Sequence, residues 1–586
     1  MMHFDDILLQ IGEFGRYQKR MYFLVCLMIL TVACHQLALV FLAAEVNHWC
    51  RVPEMETENC TEWYMEGYID EPVSVEDCEM LKMKMSIPPP KKKSKTKEVM
   101  FSQCDRYINL TESTMTNSYS ANPLLLNNAT NGVDNSTSKR PTIKCPDGWV
   151  FDTSQYKSTI VTDFDLVCSN GDLPNYSASI YFSGVLIGTF GFGCIADRIG
   201  RYPSLFICLF IQFTVGIGVA FAHNFWTFTW LRFIVATVNM SIFILAFVIG
   251  TEFVGPSWRG FTGMGVEFFF AFGYMILAIL AYFIRDWRTL QIVITVPIAL
   301  FFLLIPVLPE SARWLIAQGK LDKAEKILRK VAMVNKRVPP ENMLTSDEEK
   351  EMTERPPSYS PTTDKHKPTN TFIDLFKTPQ LRKETVNLMF NMLVNNLVYY
   401  GLSISTSSLG VNDYLAFFIS GAVEIPGYIF ALLAMNRWGR RPIICISMLL
   451  GGSACILTTV LPIGVGRTVV AMVGKFGISS SFGIIYIYAA ECFPTPVRTA
   501  GVGLCSMCGR LGGIIAPLIL VLSKYWQPLP LLIFGCTAVF AGCIALFLPE
   551  TLGKSLPETI EEGEQLGLQD PGINLPWRKR TVPEMS

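Results

Sequence analysis

The sequence predicts an all-α membrane protein whose twelve transmembrane helices form two related halves of six. Half of its 586 residues are hydrophobic and only 17% are charged, which is too apolar for an ordinary soluble enzyme. The apolar residues are gathered into long runs, and short charged motifs recur after about 240 residues. A duplicated set of membrane spans accounts for both observations.

The predicted spans are apolar runs of about 20 residues, long enough to cross the roughly 30 Å hydrocarbon layer of a bilayer as helices. Six runs precede residue 310 and six follow residue 384. The runs cover residues 21–44, 175–196, 203–222, 226–251, 260–283, 289–308, 385–405, 414–435, 442–463, 467–491, 499–522 and 529–548.

Charged motifs at the ends of the spans occur once in each half. The recurring pairs are Asp197 and Asn436, Glu252 and Glu491, Arg259 and Arg498, and Glu310 and Glu550. In membrane proteins built from two related halves, transporters bind their substrate in the cleft between the halves. The repeat therefore predicts a transporter with a central binding site.

The distribution of Lys and Arg in short loops predicts the orientation. The richer side carries Arg16, Lys19, Arg20, Arg198, Arg201, Arg259, Arg437, Arg440, Arg441 and Arg498. The short loops of the other side carry Arg285, Arg288, Arg467 and Lys524. The positive-inside rule then places both termini in the cytoplasm, and we expect a multi-pass protein of the plasma membrane.

Spans and loops together divide the chain into five regions. They are a cytoplasmic N-terminus (1–20), a first helical half (21–310), a cytoplasmic helical segment and linker (311–384), a second helical half (385–550) and a cytoplasmic tail (551–586). Within the third region, residues 311–335 have the apolar period of a helix that lies on a membrane surface. Residues 339–368 are rich in Pro, Ser, Thr and charge, which predicts a linker without fixed structure.

The long loop 45–174 is predicted to lie outside the cell, to be rich in disulfides and to be glycosylated. Its six cysteines, an even number, suggest up to three disulfides with fifteen possible connectivities. They are Cys50, Cys60, Cys78, Cys104, Cys145 and Cys168. Four sequons for N-glycosylation begin at Asn59, Asn109, Asn128 and Asn135.

The repeated motif charges predict a cytoplasmic gate made of ion pairs. Asp197, Arg198 and Arg201 are expected to meet Glu491 or Arg498 of the other half only when the cytoplasmic side is closed. The whole predicted gate comprises Asp197, Arg198, Arg201, Glu252, Arg259, Asn436, Arg437, Arg440, Arg441, Glu491 and Arg498. The alternative is that these charges only anchor the chain by the positive-inside rule.

Four further charges lie deep in the spans, where burial costs free energy unless the charge is paired or hydrated. Glu267, Glu424, Lys475 and Arg510 are in the fifth, eighth, tenth and eleventh spans. They predict a polar central cavity in which the bases suit a carboxylate and the acids an ammonium group. The alternative is mutual neutralisation, with Glu424 paired to Lys475 or Arg510. Arg232, early in the fourth span, is expected to reach the membrane surface.

Two adjacent aromatic residues in the seventh span, Tyr399 and Tyr400, are candidates for a π-face that holds a cationic substrate. The alternative for them is ordinary packing between helices. Net charge is zero, which gives no general attraction to nucleic acid. The sequence has no zinc-protease motif, no cytoplasmic paired-cysteine zinc spacing and no nucleophile-elbow motif. It predicts neither an enzyme nor a cofactor, and leaves coupling to sodium or protons open.

Taken together, the motifs resemble the organic cation/carnitine/organic anion transporter family of the major facilitator superfamily. The resemblance covers nearly the whole chain. It includes Phe14-Gly15-Arg16-Tyr17-Gln18, Gly193-x-x-x-Asp197-Arg198-x-Gly200-Arg201, Thr251-Glu252-Phe253-Val254-Gly255, Pro309-Glu310-Ser311-x-Arg313-Trp314-Leu315, Gly421-Ala422-Val423-Glu424-Ile425-Pro426 and Ala490-Glu491-x-Phe493-Pro494-Thr495-x-Val497-Arg498. Two positions depart from the family pattern, because Tyr202 replaces a usual Arg and Asn436 a usual Asp. Both departures remove a charge from the expected gate.

The resemblance implies alternating access and a substrate that is a small organic cation or zwitterion. At the position of Arg510, cation transporters of the family have aspartate, whereas carnitine-type and anion-type members have arginine. Residues 271–275 and 282–288 look most similar to the carnitine and zwitterion branch. The chain also resembles insect members that transport organic cations, carcinine or β-alanine.

Two other functions remain open at this stage. An organic anion exchanger is the nearest, because Arg510 and Lys475 together could hold a dicarboxylate. A channel or a non-transporting receptor comes from a different class. A channel would show a pore-lining repeat, and a receptor would not need the gate charges.

Overall fold

The computed structural model describes residues 4–52, 87–88, 102–107, 142–339, 372–406, 410–554 and 556–568. The chain forms two compact units. The first, called the helical unit, comprises Met1–Leu42 and Pro174–Ser586, and the second, called the loop unit, comprises Ala43–Leu173. Among the described residues, the strands all lie in the loop unit.

In the described part of the chain, the first half has eleven α-helices up to residue 334, besides one turn of helix, Ile160–Asp163, in the loop unit. They are α1 (Phe4–Ile11), α2 (Arg16–Leu37), α3 (Leu39–Leu42), α4 (Leu173–Ile199), α5 (Arg201–Ala220), α6 (Phe225–Glu252), α7 (Arg259–Phe283), α8 (Trp287–Thr295), α9 (Ile298–Phe301), α10 (Ala312–Ala317) and α11 (Leu321–Val334). The second half has α12 (Pro379–Ile404), α13 (Asp413–Trp438), α14 (Arg440–Val460), α15 (Val465–Cys492), α16 (Arg498–Val521), α17 (Leu529–Ala545) and α18 (Ile560–Leu568).

Within the described part of the chain, ten helical stretches are long and apolar enough to cross a membrane. They are Arg16–Leu42, Cys168–Ile199, Arg201–Ala220, Phe225–Glu252, Pro256–Phe283, Trp287–Leu304, Asp413–Trp438, Arg440–Val460, Val465–Cys492 and Arg498–Lys524. The two other predicted spans are present as helices of different character. One is α12, and the other is α17, which is apolar but only 17 residues long.

Helix α12 is long, with 26 residues, but it carries several asparagines. Asn387, Asn391, Asn395 and Asn396 are all buried. The side chain of Asn391 donates to Asn387 Oδ1 at 2.7 Å, and that of Asn387 donates to the carbonyl of Ile544 in α17 at 2.8 Å. Buried amides need such partners because an unpaired polar group in an apolar interior is costly.

The sixth predicted span, 289–308, is interrupted rather than continuous. Helix α8 ends at Thr295 and a short helix resumes at Ile298. Pro297 lies between them, and a proline has no N–H to continue the hydrogen-bond ladder. The range still forms one apolar helical stretch, Trp287–Leu304, that is long enough to cross a membrane, as predicted.

The repeated motifs build the same turn in both halves. Gly200 and Gly439 join consecutive helices with φ of +110° and +102°, values that a residue with a side chain rarely adopts. Oε1 of Glu310 accepts from the backbone N–H of Arg201 at 3.0 Å, and Oε1 of Glu550 accepts from that of Arg440 at 3.0 Å. A carboxylate is favourable at a helix N-terminus, so each motif fixes the start of a helix.

We call the end of the helical unit where the repeated motifs lie the motif side. Several short helices pack at this end. The predicted helical stretch 311–335 is confirmed as α10 and α11, separated at Gly319, whose φ is +72°. Helices α1 and α18 were not predicted. In α1, Asp5 pairs with Arg259 at 2.5 Å, and in α18, Glu564 accepts from the first backbone N–H groups of α12.

The loop unit contains two short antiparallel pairs of strands. β1 (His48–Cys50) pairs with β4 (Trp149–Phe151), and β2 (Asp105–Tyr107) pairs with β3 (Thr142–Lys144). Two disulfides, Cys50–Cys145 and Cys104–Cys168, close long segments of chain. Cys60, Cys78 and the predicted glycosylation sites Asn59, Asn109, Asn128 and Asn135 lie outside the described residues.

Candidate substrate-binding site

Two of the four deep charges form a buried ion pair within the second half. Nζ of Lys475 in α15 is 3.0 Å from Oε1 of Glu424 in α13, and their side chains are 2% and 0% exposed. The pairing that the sequence left as an alternative is thus present. Removing one partner of such a pair leaves an uncompensated buried charge. The stability of the fold therefore depends on keeping both residues.

Lys475 is surrounded by further groups that suit an ammonium ion. Its Nζ donates to Oγ of Ser403 at 2.6 Å and lies 3.5 Å from the centroid of the Tyr399 ring. The Tyr274 ring is 5.5 Å away. We call Glu424, Ser403, Tyr399 and Tyr274 the ammonium cage. Beside it is a small cavity, with room for about one water molecule, lined in part by Lys475 itself.

The other two deep charges, Glu267 in α7 and Arg510 in α16, have no such partners. Neither forms an ion pair or a hydrogen bond with another described residue. Arg510 is only 5% exposed and its Nε is buried without an acceptor, whereas Glu267 is half-buried. The Glu267 carboxylate is attracted by Arg510 and repelled by Glu424. One charge of each sign, without a direct ion pair or hydrogen bond to a described residue, is therefore left in the interior, one from each half.

The adjacent residues Tyr399 and Tyr400 have different surroundings. Tyr399 belongs to the ammonium cage, whereas Tyr400 faces the first half. The hydroxyl of Tyr400 accepts a hydrogen bond from Nε2 of Gln36 at 3.4 Å, and its ring lies 4.5 Å from that of Phe182. Of these two tyrosines, Tyr399 is the one whose ring faces a described cation, that of Lys475.

The two halves contact each other toward the side opposite the motifs. The hydroxyl of Tyr274 in α7 donates to Ser420 Oγ in α13 at 3.1 Å, and Oγ of Ser179 in α4 donates to the carbonyl of Ile514 in α16 at 3.0 Å. The rings of Tyr274 and Phe417 are 4.2 Å apart. These contacts are neutral and aromatic, so they separate without exposing unpaired charge.

On the motif side, the ion pairs of the predicted gate residues lie within each half. Arg201 contacts Asp197 at 3.1 Å and Glu252 at 3.5 Å. Arg440 contacts Glu491 at 2.9 Å, which is the corresponding position of the repeat. The structure therefore joins the predicted residues in a different combination from the expected pairs between halves.

The remaining predicted gate residues are held locally or face solvent. Arg498 donates to the carbonyls of Phe493 and Pro557 at 3.1 and 3.4 Å, and Arg441 donates to that of Leu548 at 3.2 Å. Arg259 is held by Asp5. The exposed members are Arg198, Asn436 and Arg437. Exposed charges at this level are available to a second conformation.

Sequence reasoning missed a neutral polar network in the first half. The hydroxyl of Tyr181 donates to Gln36 Oε1 at 3.3 Å, and Nδ2 of Asn239 donates to the same oxygen at 3.2 Å. Arg232 does not reach the membrane surface as predicted, since it is 1% exposed and lies 4.7 Å from the Tyr181 ring centroid. The signal in the sequence is the presence of Gln36 and Asn239 within otherwise apolar spans, where a buried amide needs a hydrogen-bond partner.

Comparison with known proteins agrees with this architecture. The sugar (and other) transporter family matches residues 151–562. The organic cation transporter protein of Drosophila melanogaster is 39% identical over 97% of this chain and 95% of its own length. The Drosophila melanogaster carcinine transporter is 36% identical over 96% and 79%, and the human organic cation/carnitine transporter 2 is 34% identical over 96% and 94%.

Among solved structures, the inward-open xylose transporter from E. coli is 20% identical and has a TM-score of 0.55. The match covers 70% of this chain and 93% of that one, and it supports the fold alone. The family and fold are those of transporters rather than enzymes. From the family match and the long similarities, the chain belongs to the organic cation and carnitine transporters of solute carrier family 22, within the major facilitator superfamily.

Proposed function

We propose that the protein carries small organic cations or zwitterions bearing an amine or quaternary ammonium across the plasma membrane by alternating access. The observation that carries the proposal is the pair of deep charges, Glu267 and Arg510, which have no direct ion pair or hydrogen bond among the described residues. An unpaired charge in the membrane interior requires a partner or water. A substrate with an ammonium group and a carboxylate supplies a partner for both.

The relatives support the substrate class. The similar proteins are named as transporters of organic cations, carcinine and carnitine. Carnitine bears a quaternary ammonium and a carboxylate, and carcinine bears an amine. We infer that Glu267 faces the cationic head of the substrate and that Arg510 faces a carboxylate when one is present.

The Glu424–Lys475 pair weighs against the alternative of an organic anion exchanger. That alternative needs two bases to hold a dicarboxylate. Lys475 is already bound to Glu424 at 3.0 Å, so Arg510 is the deep base without a carboxylate partner among the described residues. A single free base opposite a free acid suits a zwitterion better than a dianion.

We infer that the structure represents an inward-facing state of a twelve-span carrier whose termini are cytoplasmic. The halves meet toward the side opposite the motifs, through Tyr274–Ser420 and Ser179–Ile514. In the outward-facing state, Arg198 and Arg437, which face solvent here, would form ion pairs with acidic residues of the other half. These pairs would close the cytoplasmic gate. Enzymatic deglycosylation tests the orientation, because it should shift the gel mobility only if loop 45–174 is extracellular.

Uptake by cells that express the chain tests the proposal. The panel is carnitine, carcinine, β-alanine, tetraethylammonium and p-aminohippurate, each with and without sodium. We expect saturable uptake of at least one amine, stimulated by the same substrate on the far side of the membrane. Transport of p-aminohippurate alone would overturn the substrate class, and uptake that does not saturate would indicate a channel.

A further inference from the structure

The surroundings of Lys475 form a complete site for a primary ammonium ion. Such an ion has one positive charge and three N–H donors, and a carboxylate, a neutral acceptor and a ring face hold it well. Glu424, Ser403 and Tyr399 supply one of each, at 3.0, 2.6 and 3.5 Å from Nζ. These contacts recognise the ammonium group itself and not the backbone that carries it.

We propose that the ammonium cage is a cation-binding site occupied by the protein's own Lys475. When the lysine side chain is shortened, the cage binds a free primary alkylammonium ion in its place. Glu424, Ser403 and Tyr399 all belong to the second half, so these three contacts persist whichever way the two halves are arranged. Tyr274 is the one member of the cage from the first half. The hydroxyl of Tyr428 donates to the second oxygen of Glu424 at 3.3 Å and keeps that carboxylate in place.

The space for a free ion is present. Lys475→Ala removes three methylene groups and the ammonium, which together have the size of n-propylammonium. The vacated volume joins the small cavity lined by Leu402, Ser420 and Met472. A propylammonium ion can therefore place its nitrogen where Nζ lies and its carbons where the lysine stem was.

This occupancy has a consequence for specificity, which rests on the proposed transport function. Because Lys475 fills the cage, the acid of the cage is not available to a substrate cation. The free charges are then Glu267 and Arg510, one of each sign. Without the lysine charge, the interior would carry one more negative charge, and the preference would move from zwitterions toward cations.

The test uses the purified full-length protein and its thermal unfolding. For Lys475→Ala, n-propylammonium chloride should raise the melting temperature saturably by about 2–4 °C relative to sodium chloride. The rise in the wild type should be smaller, since its cage is full and any binding at Glu267 is common to both proteins. Tetramethylammonium, which lacks N–H donors, should affect the two proteins equally.

Two controls separate cage binding from other effects. Lys475→Gln loses the charge but keeps most of the volume, so propylammonium should stabilise it no more than the wild type. The double variant Glu424→Gln with Lys475→Ala lacks the anion of the cage and should also respond no more than the wild type. An equal rise in the wild type or in the double variant would overturn the proposal, as would no rise for Lys475→Ala.

If Lys475→Ala cannot be recovered folded from membranes, solubilisation with propylammonium present becomes the measurement. Monodisperse protein obtained with propylammonium but not with sodium supports the cage, and failure in both salts counts against it. None of these readings involves transport. A chain that carries no zwitterion would refute the proposed function and leave the cage result standing.

Discussion

Replacing Arg510 by glutamine tests whether this residue binds substrate or supports the fold. The side chain is 5% exposed and has no ion-pair partner among the described residues. Its replacement breaks no hydrogen bond or ion pair with the described residues and loses only the longer-range attraction of Glu267, so the thermal stability should fall little. A charge-assisted contact to a substrate carboxylate is worth roughly 1.5–3 kcal/mol. Losing it should raise KM for a zwitterion such as carnitine about ten- to a hundredfold.

The substrate comparison makes this prediction selective. Tetraethylammonium has no carboxylate, so Arg510→Gln should leave its uptake nearly unchanged, and Arg510→Asp should improve it by adding a negative charge. Glu267→Gln should weaken uptake of both substrates because both have a cationic head. Initial rates of labelled uptake, corrected for surface protein, provide the measurement.

Arg467→Gln is the matched control. Arg467 is also a buried arginine, 8% exposed, but it lies at the start of α15, away from the four deep charges. It should not discriminate between the two substrates. The reasoning fails if Arg510→Gln reduces uptake of carnitine and tetraethylammonium equally and also lowers the melting temperature. That result would assign Arg510 to a structural ion pair formed in another state.

Three further changes test the structure. Glu424→Gln should lower the free energy of unfolding by about 3–5 kcal/mol because it leaves Lys475 unpaired, and an unchanged melting curve would contradict the buried pair. Arg198→Gln should slow transport and favour the inward-facing state. The amount of protein at the surface should not fall, because Arg198 is exposed in this structure. Normal turnover would show that Arg198 only anchors the chain. Gly439→Ala should cost at least about 1–2 kcal/mol because φ is +102° and a Cβ would lie 2.4 Å from a carboxylate oxygen. Surface expression measures this cost, and Gly466→Ala, which meets open space, should have little effect.

The two-half architecture could be predicted because the turns that repeat in each half require particular residue types. A turn with positive φ needs glycine, and the helix that follows is stabilised by a carboxylate, so Gly200 with Glu310 and Gly439 with Glu550 stand out in the sequence. The break at Pro297 was missed because the apolar run continues through it. Helix α1 was missed because its eight residues are too few to show a clear period.

The site was predicted less completely, for a geometric reason. A sequence gives the depth of a residue along a span but not which neighbour its helix face meets. It therefore identified Glu424 and Lys475 as deep charges without deciding whether they bind each other. The gate residues depend on conformation as well, and the pairs seen here, such as Arg440–Glu491, belong to one state of the carrier.

The asparagine-rich face of α12 has a consequence for how the protein is made. Polar side chains in hydrocarbon disfavour the integration of an isolated helix. The carbonyl that pairs with Asn387 belongs to Ile544 in α17, which is synthesised more than a hundred residues later. A nascent chain that ends soon after α12 should therefore fail to hold this helix in the bilayer. Stable integration of α12 is therefore expected to be delayed until its later neighbours have been synthesised.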